Sequence, residues 1–440
     1  MFLSIPQLSR LAALFGCCAG FASFAIAPLC AQEPLFRELP SNARLSRHQT
    51  ALVKLAKTSA AATGVKVMRT DPQSLLQQML GDGAAAKITL QLTDRTRVTV
   101  SRSSVEVDAR TGVWRGTVDG TGGLVTLMWS ADGHVAGIAQ HQGYYYSIRP
   151  LGDGLNAIVE LDQDLMPPDH QPELLLSSSD RFGESNAVLA LRSVTEGRFA
   201  PATRPKLALA VGAELSLIPK NVVIDVLVAY TKKATEHYND IKSDLIALAI
   251  EEANESFRIS GLGHIKLRLV HAYQTSYVEE GGSHFDHVWR LAEKHDGYMD
   301  EVHPLRDKYG ADVVVLIVDD AQGCGLSTRV HPDADEAFAV VHHECAATTL
   351  SLAHEIGHII GARHELNMDT VMTPFPYGHG YVNGTKWRDI MSYKESCGGC
   401  PRIPVWSSPT VLIEGEPAGT PELDNARVIA EQAARVAAFR

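Results

Sequence analysis

The sequence predicts two folded regions, a β-rich N-terminal region at residues 32–165 and an α/β domain at residues 221–440. Two observations support this division. In the first half, short runs of alternating apolar and polar residues are separated by turn dipeptides, which is typical of antiparallel strands. After residue 221, apolar runs of strand type alternate with longer runs of helical periodicity. A length of 440 residues suits about two to three domains.

The first 31 residues read as a secretory signal peptide. An uncharged apolar run, Leu11–Leu29, is followed by Cys30-Ala31 and then by polar residues. We expect cleavage after Ala31, although the run is also long enough for an uncleaved N-terminal membrane anchor. No other stretch of the sequence approaches the length of a membrane span. The mature chain is therefore expected to be soluble and secreted, whether extracellular or periplasmic in transit.

The overall charge argues against nucleic acid as a partner. The formal net charge is −11, from 40 Lys and Arg against 51 Asp and Glu, whereas phosphate binding needs an excess of positive charge. Hydrophobic residues make up 45% of the chain and charged residues 21%, as in ordinary globular proteins. Nothing in the sequence demands an oligomer, so we expect a monomer.

The N-terminal region is predicted to be an antiparallel β domain with a helical piece at about residues 48–80. Asp119-Gly120 and Asp132-Gly133 are typical of hairpin turns between such strands. The predicted strands are Lys87–Leu92, Arg97–Ser101, Leu124–Met128, Val135–Ile138 and Gly143–Ile148. Residues 166–220, rich in proline and serine and then in basic residues, indicate an accessible linker that either contains a processing site or only connects the two regions.

The C-terminal region shows the alternation of an α/β domain. Its predicted strands are Val222–Tyr230, Ile265–Tyr273, Ala311–Asp319 and a short edge strand, Ala337–His342. Its predicted helices are Asp240–Ile259, a mostly helical stretch Phe285–Tyr309, Ala347–Gly361 and Asn425–Phe439. The edge strand is expected to receive an extended peptide, because an edge offers unpaired backbone groups.

One predicted helix carries the pattern of a catalytic zinc site. His354 and His358 are spaced i, i+4, so both imidazoles lie on one helix face and can bind the same ion. Glu355 lies beside that face, where a carboxylate can take a proton from an attacking water without binding the metal. Gly361 lets the chain leave the helix, and His364 can then return as a third ligand. Three protein ligands leave one position open, as catalytic zinc sites do.

The full pattern of residues 354–364, together with Asp389-Ile390-Met391-Ser392-Tyr393 further on, resembles the metzincin zinc endopeptidases. The resemblance implies a mixed twisted sheet with a zinc-binding helix and a methionine turn beneath the metal, preceded here by a β-rich pro-domain. The order of strands and helices is closest to the reprolysin or adamalysin branch. Glu365 and Tyr393 instead look like the astacin branch, since reprolysins usually have Asp at the first position and do not generally use such a tyrosine.

The resemblance also implies the residue roles. His354, His358 and His364 correspond to the zinc ligands, Glu355 to the general base and acid, and Met391 to the turn methionine. Tyr393 corresponds to a switchable fifth ligand or oxyanion stabiliser. The implied cofactor is one catalytic Zn2+, and the implied substrates are polypeptides. The N-terminal region is then expected to be a propeptide, the alternative being a folding or binding module retained in the mature protein. Residues 32–220 contain no cysteine to bind the zinc, so inhibition would need a carboxylate, a histidine or steric cover.

The cysteines outside the predicted signal peptide number four, which suits two disulfides in an exported protein. Three pairings are open, and proximity in sequence favours Cys324–Cys345 and Cys397–Cys400. A structural zinc site made by all four thiolates is the alternative. Acidic residues at two places are compatible with calcium, although such loops are often only solvated: Asp319, Asp320, Asp333, Asp335 and Glu336.

The function predicted from the sequence is a secreted zinc-dependent endopeptidase made as a zymogen. One alternative is a secreted binding or adhesion protein that uses a metzincin scaffold with little or no proteolytic activity. Glu355 argues against it, because a site without catalytic activity needs no general base beside an open metal position. Another alternative is a zinc hydrolase that acts on a non-peptide amide.

Overall fold

The computed structural model describes residues 34–40, 42–80, 86–108, 111–130, 133–169 and 221–440. Residues 1–31, predicted as the signal peptide, and residues 170–220 of the predicted linker lie outside these ranges. From residue 34 onward the chain forms one compact unit. In the described ranges, no helix combines the length and the apolar composition required to cross a bilayer.

The N-terminal region is one nine-stranded antiparallel sheet with two helices. Its strands are β1 Phe36–Glu38, β2 Ala62–Thr70, β3 Lys87–Gln91, β4 Arg97–Val107, β5 Thr111–Val118, β6 Leu124–Ser130, β7 Val135–His141, β8 Tyr144–Gly152 and β9 Leu155–Asp162. The helices are α1 Arg47–Ala56 and α2 Pro72–Leu80. The strand order is β1-β2-β9-β8-β7-β6-β5-β4-β3. Leu35, just before β1, donates its N–H to Thr89 of β3, so the two ends of the sheet meet.

The structure confirms the predicted β-rich region and corrects the helical piece at 48–80. That piece is interrupted by β2, which pairs antiparallel with β9, and neither strand was among those predicted. Helix α1 begins where Ser46 and Gln49 form a capping box, each side chain bonding the other's backbone N–H. At Gly120 (φ +82°) the predicted hairpin between β5 and β6 turns through the left-handed conformation that favours glycine.

The C-terminal region is a mixed α/β domain, as predicted, and its sheet has five strands where four were predicted. Its strands are β10 Val222–Tyr230, β11 Ile265–Gln274, β12 Val313–Val318, β13 Gly325–Ser327 and β14 Phe338–His342, in the order β11-β10-β12-β14-β13. Strands β11, β10, β12 and β14 are parallel to one another, and β13 pairs antiparallel with β14. The predicted edge strand 337–342 is therefore internal, and the edge is β13, which is too short for its pattern to stand out in the sequence.

Helices cover both faces of this sheet. They are α3 Lys232–Thr235, α4 Ala247–Ile259, α5 His284–Ala292, α6 Val302–Tyr309, α7 Cys345–Thr348, α8 Ser351–Ile360 and α9 Asn425–Val436. A π-helical turn, Lys242–Ile246, precedes α4, and the 3-10 turns are Gln163–Leu165, Ala334–Glu336 and Lys394–Cys397. Alternate β12 residues face opposite ways: Val313, Val315 and Ile317 join the cluster with α4, α8 and α9, whereas Val314, Leu316 and Val318 pack with α5. Burial on both faces explains the unbroken apolar run of β12.

The two regions share one apolar core. Leu52 of α1, Tyr145 of β8 and Val159 of β9 belong to the same cluster of buried residues as the C-terminal sheet and α8. Buried charges also meet across this contact, where Arg149 of β8 forms an ion pair with Glu344 at 3.0 Å. The N-terminal sheet therefore packs directly on the part of the C-terminal region that carries the candidate site.

The segment after α8 is mostly irregular. It contains two small hairpins, β15 Val382–Asn383 with β16 Trp387–Arg388 and β17 Leu412–Ile413 with β18 Glu416–Pro417. Both predicted disulfides are present, with Cα–Cα distances of 5.3 Å for Cys324–Cys345 and 5.5 Å for Cys397–Cys400. The first ties the beginning of β13 to α7, and the second lies close after the predicted methionine turn. The four-thiolate zinc alternative is thereby excluded.

Candidate metal centre

Helix α8 carries the first two candidate ligands, His354 and His358, and is buried along its whole length. At Gly357 a Cβ would lie 2.6 Å from the ring of Trp406, so only glycine lets the helix approach that ring so closely. The helix ends at Gly361, whose φ of +135° is rarely adopted by residues with side chains. The chain then turns back and brings His364 toward the face that carries the other two histidines.

The three predicted ligands converge on one point. The Nε2 atom of His364 lies 3.1 Å from Nε2 of His354 and 3.0 Å from Nε2 of His358. All three side chains are buried, at 3% exposure or less. The geometry thus brings together three ring nitrogens from two turns of α8 and from the loop that follows it.

The other ring nitrogens show which atoms are free to bind a cation. Nδ1 of His354 donates to the Ile390 carbonyl and Nδ1 of His358 donates to the Ala362 carbonyl, both at 2.9 Å. Each Nε2 is then left with its lone pair facing inward. Burial lowers the pKa of His354 to about 3 and lowers the pKa values of His358 and His364 well below the usual range, so all three rings are neutral.

This arrangement fits a zinc ion. Neutral imidazole nitrogens are good zinc donors, and three of them on a tetrahedral ion with bonds of about 2.0–2.1 Å are about 3.3 Å apart. Without a cation, inward lone pairs at 3.0–3.1 Å repel each other unless a proton lies between them. The carbonyl partners of His354 and His358 fix the rings from outside, as the outer hydrogen bonds of metal-binding histidines commonly do.

Glu355 belongs to α8, and its carboxylate packs against the edge strand β13. A Cβ placed on Gly325 would be 2.7 Å from Oε1 of Glu355, so the carboxylate occupies the space beside that glycine. Burial raises the pKa of Glu355 well above its usual range, and the charge of Asp169 raises it further, while hydrogen bonds from Ser327 act in the opposite direction. Glu355 is 3% exposed. It is therefore a buried carboxylate of high proton affinity that packs against β13.

The segment 389–393 lies beneath and beside the three histidines. Met391 is fully buried, with its sulfur 3.3 Å from the position a Cβ on Gly357 would take. The ring of Tyr393 lies 4.5 Å, centroid to centroid, from that of His364. Within the described residues the Tyr393 hydroxyl is buried and has no hydrogen-bond partner. Burial raises the pKa of this hydroxyl, and Asp169 and Glu355 raise it further, so the phenol is a proton-bearing donor facing the site.

Two charged residues that the sequence analysis did not single out also reach this site. Arg402, at 1% exposure, forms an ion pair with Asp169 at 2.8 Å. Asp169 falls in the predicted linker, yet the described part of that linker, residues 166–169, contacts the C-terminal region. Neither residue belongs to a motif, because an arginine after a disulfide and an aspartate after two prolines have no characteristic spacing.

Most of the acidic residues considered for calcium already form hydrogen bonds or ion pairs with histidine, lysine or arginine side chains. Oδ1 of Asp319 accepts from His237 (3.1 Å) and His343 (3.0 Å), and these three residues form a second close group. Oδ2 of Asp320 lies 3.2 Å from His287. Asp335 lies 3.5 Å from Lys294, and Glu336 is paired with Arg329. The ring N–H groups that His237 and His343 donate to Asp319 account for the closeness of these three residues. Calcium binding stays a prediction.

Known proteins are similar to this chain in sequence. Residues 220–407 match a reprolysin-type model of metallo-peptidase family M12. A peptidyl-Asp metalloendopeptidase of Xanthomonas campestris pv. campestris is 32% identical over 96% of both chains, and one of Stenotrophomonas maltophilia is 33% identical over 89% of this chain and 92% of that one. Among solved structures, metalloproteinase-II from Bacteroides fragilis gives a TM-score of 0.34 at 13% identity over 64% of this chain and 82% of that one, too low a similarity to support an argument. The similarity along nearly the whole chain shows that this protein belongs to the reprolysin-like M12 metallopeptidases, within the metzincins, and is a metalloendopeptidase.

Proposed function

We propose that this chain is a secreted, zinc-dependent endopeptidase whose catalytic zinc is held by His354, His358 and His364. The observation that carries the proposal is the convergence of three neutral imidazoles, with Nε2 of His364 within 3.1 Å of Nε2 of both His354 and His358, next in the chain to the buried carboxylate of Glu355. Helix α8 then serves as the zinc-binding helix and residues 389–393 as the methionine turn.

A zinc ion at this place supplies Lewis acidity toward the scissile carbonyl and toward a water molecule. Glu355 takes the proton of the attacking water and later delivers a proton to the leaving amine. Its raised pKa suits this role, because a carboxylate of high proton affinity accepts a proton readily and can return it. The unpartnered hydroxyl of Tyr393 donates a hydrogen bond to the carbonyl oxygen as negative charge develops there.

The substrates are proposed to be polypeptides cut beside aspartate. This follows from the relatives, whose names describe peptidyl-Asp metalloendopeptidases and which match nearly the whole chain. The substrate binds as an extended strand along β13, which is the edge of the C-terminal sheet. Sequencing the termini of the products shows whether the bond before or after the aspartate is cleaved.

The N-terminal region is proposed to keep the enzyme latent until it is processed. Its sheet shares the apolar core of the C-terminal region, and its last described residues lie at β13 and at Arg402. We further propose that residues 1–31 are a signal peptide that directs secretion and that the zymogen is cleaved within residues 170–220. The enzyme then works as a monomer. The latency device is then a carboxylate with steric cover, which agrees with the absence of a cysteine in residues 32–220.

The test is cleavage of unfolded casein by the purified protein with and without a chelator, beside Glu355→Gln, with zinc counted in each sample. We expect one zinc per chain in both proteins, activity in the wild type that is lost on chelation and restored by zinc, and none in the variant. Wild-type protein that holds zinc and never cleaves, even after its N-terminal region has been removed by limited proteolysis, would refute the proposal and favour a binding protein built on the same scaffold.

A further inference from the structure

Arg402 is a buried guanidinium fixed beside the candidate metal centre. It donates to the Thr349 carbonyl at 2.9 Å and to the Ser392 carbonyl at 3.1 Å. Ser392 stands between Met391 and Tyr393, so the cation is attached to the same turn that lies under the three histidines. With 1% exposure and backbone partners on two elements, its position is set by the fold.

The carboxylate that neutralises Arg402 comes from outside the C-terminal region. Oδ2 of Asp169 lies 2.8 Å from the guanidinium, and among the described residues it is the one carboxylate within ion-pair distance. The Asp169 side chain is 12% exposed in this position. If the segment that carries Asp169 is removed, Arg402 keeps its two carbonyl partners but loses its counter-charge, and a buried unpaired cation attracts another anion strongly.

The backbone around Asp169 lies where an extended substrate would lie. The Pro168 carbonyl accepts the N–H of Cys324 at 2.8 Å, and Cys324 directly precedes the edge strand β13. The same strand carries Gly325, against which the Glu355 carboxylate rests. A segment bonded to this edge, with an acidic side chain directed at a buried cation beside the catalytic residues, has the features of a bound substrate.

We propose that Arg402 is the residue that selects an acidic side chain in the substrate, and that Asp169 occupies its site in the full chain as a substrate aspartate would. The inference rests on the proposed endopeptidase function and adds the residue that determines its specificity. It also explains how a pro-region without a cysteine covers the site: its own aspartate fills the specificity position.

A neighbouring arginine provides the matched control. Arg388 is also buried, at 2% exposure, and also donates to the Ser392 carbonyl, at 3.1 Å, and to the Cys400 carbonyl. Among the described residues no carboxylate lies within ion-pair distance of it. Removal of Arg388 should therefore disturb the same turn without removing the charge that we assign to substrate selection.

The first experiment uses the active form from the casein assay and two peptides that differ only in one Asp or Asn. We expect the wild type to prefer the Asp peptide in kcat/KM by about 100-fold or more, because a site built around a charge rejects a neutral isostere. Arg402→Gln should remove most of this preference by lowering kcat/KM for the Asp peptide far more than for the Asn peptide, whereas Arg402→Lys should keep part of the preference. Arg388→Gln should keep the wild-type ratio. An unchanged ratio in Arg402→Gln would overturn the proposal.

The second experiment does not depend on turnover. The full chain is made as Glu355→Gln, which prevents self-cleavage, and binding of the fluorescent Asp peptide is followed by anisotropy. Asp169→Asn in this background should raise the affinity for the Asp peptide by about tenfold or more but not for the Asn peptide, and a further Arg402→Gln should abolish the gain. Equal binding with and without Asp169 would overturn the proposal. If the wild type cleaves nothing, the proposed function fails, while this binding comparison still decides the role of Arg402.

Discussion

Two buried carboxylates, one immediately before α7 and one within α8, have opposite surroundings. Glu344, at 6% exposure, forms an ion pair with Arg149 of β8 at 3.0 Å and accepts a hydrogen bond from Ser59 at 2.5 Å. Glu355, at 3% exposure, has no cation within ion-pair distance in the described part of the chain. The N-terminal sheet neutralises the first charge, whereas the fold leaves the second without a counter-ion. The carboxylate at the contact between the two regions is paired with a cation, whereas the carboxylate that we propose to exchange a proton is not.

The pKa values show the same contrast. Although burial raises the pKa of Glu344, Arg149 and its other partners more than offset this and lower it to about 2. For Glu355 burial dominates, and the pKa is raised well above the usual range. The charge of Glu344 is therefore stabilised at the interface, whereas burial at the site increases the proton affinity of Glu355.

The largest effect is expected from Arg149→Met in the full chain carrying Glu355→Gln. The change leaves the Glu344 charge buried without its partner, which should lower the free energy of unfolding by about 3–5 kcal/mol. Urea denaturation at pH 7 measures this. Adding Glu344→Gln should recover most of the loss, because the unpaired charge is then gone. A single variant as stable as its parent would show that this pair does not hold the N-terminal sheet.

A second prediction concerns pH. In the folded chain the pKa of Glu344 is about 2, below the usual value of 4.5, so its stabilisation is complete above about pH 4.5 and is lost as the pH falls toward 2. The contribution is roughly 3 kcal/mol, at about 1.4 kcal/mol per pKa unit. The free energy of unfolding, measured from pH 6 to pH 2, should therefore fall less steeply for Glu344→Gln than for the parent. Parallel curves for the two proteins would contradict the assignment.

The third prediction disturbs Glu355 and leaves Glu344 untouched. In Gly325→Ala the new Cβ would lie 2.7 Å from Oε1 and 2.8 Å from Cγ of Glu355, so the carboxylate must move. We expect kcat to fall by about 10- to 100-fold, since misplacement by about 1 Å has effects of this size. Zinc content should not change.

Gly263→Ala is the control for this change, because its Cβ would meet nothing closer than Arg258 at 3.9 Å. It should retain wild-type kcat. If Gly325→Ala were as active as this control, the resting place of Glu355 on β13 would not matter for catalysis.

The parts of this site that follow from the sequence are those set by local geometry. The spacing of His354 and His358 and the break at Gly361 predicted three converging histidines, since a helix and a glycine turn fix their relative positions. The pairing of Cys324 with Cys345 was predicted from proximity alone. In each case the residues that meet are at most about twenty positions apart in the chain.

The parts that did not follow depend on contacts between distant segments. Strand order places β13 at the edge and β14 inside, although the sequence favoured 337–342 as the edge, because a three-residue strand has no recognisable pattern. Arg402 and Asp169 are 233 positions apart and belong to no motif. Strand β2 lies within the predicted helical piece because pairing with β9 outweighs local propensity. Such placements are determined by tertiary packing.

The smallest effect is expected at the rim of the same contact between the two regions. Nζ of Lys394 donates to the Asp164 carbonyl at 3.2 Å in an exposed position, where water can replace either partner. Lys394→Met should therefore change the free energy of unfolding by less than about 1 kcal/mol, measured in urea beside Arg149→Met. The pair of variants separates two accounts of the interface. If the buried ion pair holds the N-terminal sheet in place, Arg149→Met lowers the free energy of unfolding far more than Lys394→Met does. Equal losses would mean that many small surface contacts together stabilise the interface.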